Sequence, residues 1–166
     1  MFQITLQTLE IGAGLLIEAS IWVIAIVLLL IRLRLYSSGG VCDIRISLDK
    51  RLAVITGAAQ GIGRFTMEEL LKSGCRVIFG DRDRQLSETV QKELNAIYPG
   101  KIQYLFLDLV QRESIKEFAK AVTKDNPIID ILVNNAGVMA MNQRILTAEG
   151  IEKQLAINYL GHFYLT

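Results

Sequence analysis

The chain has 166 residues, is 51% hydrophobic and carries a formal net charge of +1, which is enough for one domain with a sizeable core. So small a charge, with no basic patch, gives no reason to expect nucleic-acid binding. Two cysteines without CxxC spacing, Cys42 and Cys75, and a single histidine, His162, leave almost nothing from which to build a metal site.

The apolar residues are unevenly spread. Residues 11–31, IGAGLLIEASIWVIAIVLLLI, form a run of 21, against the roughly 20 that a bilayer-spanning helix needs. Glu18 falls in its first half, where a carboxylate must lie toward the interface or be neutralised. A cleaved signal peptide and a buried helix are the alternatives, but residues 1–10 contain no Lys or Arg to form a positive n-region. Arg32, Arg34, Arg45, Lys50 and Arg51 all follow the run, an asymmetry that places the C-terminal side in the cytosol. The expected layout is an anchoring segment over 1–35, a mixed polar linker over 36–50 and a folded domain over 51–166.

Within that domain, LAVIT (52–56) reads as a buried strand ended by glycine. A helical pattern follows from Ile62, with Phe65, Leu70 and Leu71 near one face, and stops at Ser73–Gly74. RVIFG (76–80) is the second strand. Leu86, Val90, Leu94 and Ile97 mark the second helix, IQYLFL (102–107) the third strand, and Ile115, Phe118, Ala119 and Val122 the third helix. IIDILV (128–133) is the fourth strand, and from about Thr147 the remainder reads as helix. Strands alternating with helices predict an α/β domain with a Rossmann-type doubly wound parallel sheet, of which these residues supply the first four strands.

Between the first strand and its helix stands TGAAQGIG, with Gly57, Gly61 and Gly63 at a helix start, where bare N–H groups and the positive dipole end can bind phosphate. Asp81 ends the second strand 18 residues after Gly63, where a dinucleotide fold places an acid on the adenosine ribose hydroxyls. Triplet, strand, helix and acid together predict nucleotide binding.

The spacing is GxxxGxG rather than GxGxxG. Here the sequence resembles the short-chain dehydrogenase/reductase family through Thr56, Gly57, Gly61, Ile62 and Gly63, through NNAG (134–137) after the fourth strand, and through INYLGHFYLT (157–166). NNAGVM and NYLGHF are most similar to its retinol dehydrogenase-like branch, many of whose members are membrane-anchored. The resemblance implies that Thr56 braces the glycine turn and that Gly57, Gly61, Ile62 and Gly63 line the pyrophosphate. It implies Asp108 and Leu109 at the adenine, Asn134, Ala136 and Gly137 at the riboses, and Asn158 holding a water in a proton relay. Beside these roles stand plainer ones: a strand end for Asp108, a turn for NNAG and an exposed helix polar for Asn158. For cofactor choice, Asp81 suits a 2′-hydroxyl and repels a 2′-phosphate, whereas Arg82 beside it suits the phosphate; the acid favours NAD over NADP.

The family's chemistry is hydride transfer at an alcohol or carbonyl, with a tyrosine as acid/base, a nearby lysine lowering its pKa and a serine positioning the substrate. None of the five tyrosines, Tyr36, Tyr98, Tyr104, Tyr159 and Tyr164, is followed by lysine at the fourth position. His162 is no substitute, because the corresponding family segment is structural. The expectation is a fragment of a membrane-anchored oxidoreductase acting on a lipophilic alcohol or carbonyl, single-pass in the endoplasmic reticulum, with its Rossmann domain cytosolic and homo-oligomerisation left open. The rival is a truncated, non-catalytic nucleotide-binding or membrane-tethered interaction protein.

Overall fold

The structure, a computed structural model, describes residues 2–37, 39, 46–139 and 143–166, with backbone only for 2–17. It divides into two units, residues 1–44 and 45–166. Among its described residues the first holds one helix, α1 (Phe2–Ser37), which contains the whole 11–31 run and continues two residues into the stretch read as linker. Its stretch Glu18–Ser37 is 20 residues long, with mean hydropathy 2.1 and no buried residue, so it is long and apolar enough to cross a membrane. Cys42 and most of the remaining linker lie outside the described residues. The end of that linker belongs to the second unit: Leu48 N–H donates to Ser73 O at 2.8 Å, and the Leu48 side chain packs on the core.

The second unit is a four-stranded parallel sheet of order β3-β2-β1-β4, with β1 (Leu52–Thr56), β2 (Arg76–Asp81), β3 (Ile102–Phe106) and β4 (Ile131–Val133). Val54 pairs with Ile78 on one side and Leu132 on the other. Strand alternation feeds two cores. Ala53, Ile55, Val77 and Phe79 face Met67 and Leu71 of α2 (Gly61–Lys72) and Val90 and Leu94 of α3 (Arg84–Ile97). Leu52, Val54 and Ile78 face Ile115, Phe118 and Val122 of α4 (Arg112–Lys124). Both faces are thus covered, as a doubly wound sheet requires.

Some boundaries differ from the pattern reading. In α2, Met67 and Leu71 point inward, while Phe65 is 71% exposed. Asp83 caps α3 by accepting from Leu86 N–H at 3.0 Å, so that helix starts two residues before Leu86. β4 begins at Ile131 rather than 128, because Asp130 instead accepts from Leu52 N–H and pairs with Arg51, and Ile128 is exposed. The last helix starts at Lys153, not near Thr147. Gly150 N–H closes a turn on Thr147 O, and Glu152 caps the helix by accepting from Gln154 and Leu155 N–H. It runs as α5 (Lys153–Leu155), a π-helical turn (Ala156–Gly161) and α6 (His162–Leu165).

Candidate functional site

The strand order turns outward in opposite directions from β1, toward β2 on one side and β4 on the other. The crevice beyond the carboxyl ends at such a switch point is where open α/β sheets bind ligands. A cleft of about 370 Å³ lies there. Thr56 ends β1, and Gly57 N–H still reaches Gly80 O of β2 at 2.7 Å before the chain swings away. The swing needs Gly57 in the left-handed region, at φ +67, and a Cβ there would stand 2.8 Å from Ala136 Cα. Gln60 precedes α2 and makes no side-chain cap bond, so the first-turn N–H groups of α2 have no side-chain cap and face the cleft mouth. Such a helix end is an anion site.

Asp81 closes the second side. Its Oδ2 accepts from Ala59 N–H at 3.3 Å and its Oδ1 from Asp83 N–H at 3.1 Å, which holds the carboxylate between the glycine turn and the start of α3. Asp108 turns the chain after β3: it accepts from Val110 N–H at 3.0 Å, while its own N–H donates to Ser114 Oγ at 2.9 Å.

The loop after β4 forms the third wall. Asn135 Nδ2 donates to Thr56 O at 3.0 Å and to Gly57 O at 2.9 Å, tying that loop to the glycine turn. Asn135 and Ala136 N–H both donate to Thr56 Oγ1 at 3.0 Å. Asn158, on the π-helical turn, accepts from Val138 N–H at 2.9 Å and donates to Val138 O at 2.8 Å. A Cβ on Gly161 would meet Leu109 O at 2.6 Å, so this helix packs tightly on the loop after β3.

Of the residues expected at the site, Gly57, Ile62, Gly63, Asp81, Arg82, Asp108, Leu109, Ala136 and Gly137 line the cleft. Four do not. Gly61 opens α2 beside it, and Thr56 is fully buried behind the wall, where it braces the NNAG loop. Asn134 is turned away and donates to Thr166 Oγ1 at 3.2 Å, because neighbours on an extended chain point to opposite sides. Asn158 stands outside the lining, its side-chain amide accepting one bond from Val138 and donating one to it. Pattern reading missed Asn135, Gln60 and Val138, which all line the cleft. Asn135 sits inside the quoted NNAG motif, and strand alternation from Val133 is the signal that distinguishes it from Asn134.

A parallel sheet with a glycine turn, a strand-end acid and an asparagine-rich loop around one crevice defines a dinucleotide-binding Rossmann unit. Residues 51–166 match the family described as short chain dehydrogenase, and the chain belongs to that family. Several of its curated relatives are retinol dehydrogenases. It is 40% identical to retinol dehydrogenase 13 of Mus musculus over 133 residues, 79% of this chain and 39% of that protein. It is 40% identical to retinol dehydrogenase 11 of Homo sapiens over 137 residues, 81% of this chain and 42% of that protein. The chain therefore spans about two fifths of the length of the curated relatives it matches. Among solved structures, a protein from Mycobacterium paratuberculosis matches with TM-score 0.66 at 37% identity, over 77% of this chain and 44% of that one. Pseudomonas aeruginosa RhlG, solved as an active-site complex with NADP, matches with TM-score 0.62 at 30% identity, over 75% of this chain and 48% of that one.

Proposed function

We propose that the chain is the cofactor-binding part of a membrane-anchored NAD(P)-dependent oxidoreductase acting on a lipophilic alcohol or carbonyl. One observation carries this reading: the glycine turn, Asp81 and residues 135–138 converge on a single cleft at the carboxyl ends of parallel strands. The cleft suits a dinucleotide. Gly57 and Gly63 bring bare backbone to the cleft, the start of α2 makes no side-chain cap bond at Gln60, and Asp81 stands beside the glycine turn, accepting from Ala59 N–H.

In this reading Gly57, Gly61, Ile62 and Gly63 surround the pyrophosphate, Asp108 and Leu109 border the adenine, and Ala136 and Gly137 border the riboses. Asn158 acts through its grip on Val138. The bound nicotinamide supplies hydride chemistry, and the chain's own residues bind and orient it. Support for a lipophilic substrate comes from α1, which would hold the site near the bilayer where such molecules partition. Arg32 and Arg34 support a cytosolic domain on a single-pass anchor, and the endoplasmic reticulum is the membrane we propose. The observation favouring the rival non-catalytic nucleotide-binding module is that no tyrosine here carries a lysine four residues on.

Asp81 supports NAD as the cofactor, since a carboxylate held at the ribose position repels a 2′-phosphate. Isothermal titration of the full chain in detergent micelles tests this. NADH is expected to bind about tenfold or more tighter than NADPH, a difference of about 1.4 kcal/mol. A preference for NADPH would overturn the NAD assignment, and failure to bind either would overturn the nucleotide reading.

A further inference from the structure

The one histidine of the chain sits where the two grips on the NNAG loop meet. His162 is buried, and its Nε2 lies 2.9 Å from the Oγ1 of fully buried Thr56, 106 residues away in sequence. Its Nδ1 lies 3.3 Å from Asn158 O, one turn earlier on the same helix.

The proton positions follow from counting. A threonine hydroxyl has one proton to give and two lone pairs to receive with. Both lone pairs of Thr56 are taken, by Asn135 N–H and Ala136 N–H. The hydroxyl proton is therefore donated to His162, so Nε2 is the bare nitrogen and the ring proton sits on Nδ1, aimed at Asn158 O. Were Nε2 protonated, three donors would converge on two lone pairs and the hydroxyl proton would lose its acceptor.

Consequences for the cleft run along the same bonds. With the hydroxyl proton drawn to His162, both Thr56 lone pairs stay aimed at residues 135 and 136. Ala136 in turn packs against Gly57, so its placement shapes the glycine turn. The other ring nitrogen reaches Asn158, whose amide holds Val138. One imidazole thus ties together both supports of a four-residue cleft wall.

We propose that His162 is a positioning residue of the dinucleotide cleft, a neutral strut fixed as the Nδ1–H tautomer that orients Thr56 and steadies residues 135–138. This rests on the nucleotide-binding reading. Because the chain has only one histidine, a full chain labelled with ¹⁵N-histidine and held in detergent micelles gives an NMR spectrum of this imidazole alone. The expected spectrum at neutral pH shows a protonated Nδ1 and a bare Nε2, the reverse of the tautomer that free imidazole side chains favour in water. T56S keeps that pattern, whereas in T56V the bare Nε2 loses its hydroxyl donor and its resonance shifts.

Binding supplies the second readout. H162F keeps a ring of similar size but removes both hydrogen bonds. NADH affinity is expected to fall roughly tenfold with the far-UV circular dichroism unchanged, and H162Q, which restores an acceptor toward Thr56, recovers most of the loss. An Nε2–H tautomer in the natural chain, an Nε2 resonance unchanged in T56V, or H162F binding NADH like the natural chain each overturns the proposal. If H162F does not fold, the tautomer of the natural chain decides alone. A natural chain that binds neither NADH nor NADPH overturns the nucleotide reading instead, and the tautomer still decides the strut; one that binds only NADPH is compared with H162F in NADPH.

Discussion

Gly63 has no space for a methyl group: a Cβ there would collide with Asn135 Nδ2 and with the carbonyl of Gly57, which Asn135 bridges. G63A must therefore push the loop after β4 off the glycine turn. The expected cost is about 1–3 kcal/mol of stability, typical of overpacking at a rigid contact. Chemical denaturation measures it, and titration with NADH should show weaker binding than in the natural chain. Pattern reading found Gly63 because glycine spacing is local. It did not find Asn135, whose worth lies in contacts with Thr56 and Gly57 nearly 80 residues earlier, and it placed Asn134 at the cleft although that side chain turns to Thr166.

Among the elements, β1 and β2 were legible because buried parallel strands are continuous apolar runs, and α3 and α4 because their apolar residues recur at helical spacing. The misread boundaries share a cause. Ile128 and Thr147 have the right composition for a strand and a helix, but Asp130 and Glu152 use their carboxylates on neighbouring N–H groups and set the true starts. Asp130 is the more consequential, since it ties the start of β1 to the start of β4. Leu52 N–H first, and Arg51 second, hold its carboxyl below the usual carboxylate range. A carboxyl depressed in the folded state contributes stability above its unfolded pKa, near ~3.9, and loses that contribution as pH falls through the folded value. D130N is therefore expected to lower the melting temperature at pH 7, and its difference from the natural chain should shrink below about pH 4. Melts at both pH values check the sign.

For the whole molecule, the two units carry different solvents in their sequences. The folded unit gathers its strand residues and inward helix faces into two cores, with Ile62, Phe65 and Ile128 among those left outside, whereas Glu18–Ser37 exposes nearly every large apolar residue it has, Trp22 at 69% and Leu35 at 69% among them. An exposed apolar surface of that extent marks a place of contact with a membrane or another protein. Removing residues 1–37 is expected to move the protein from the carbonate-resistant membrane pellet to the soluble fraction without loss of the sheet. Fractionation with circular dichroism of the released domain tests this; a truncated chain that stays in the pellet would count against α1 as the anchor.

The paired hydrogen bonds between Asn158 and Val138 close a loop of about 20 residues with a single side chain. Loop-closure entropy grows only slowly with length, so closing it costs little more than clasping a much shorter loop would. In hydrogen–deuterium exchange, the Val138 amide should be protected well beyond its loop neighbours, and N158A should release it while leaving the amides of β1 slow.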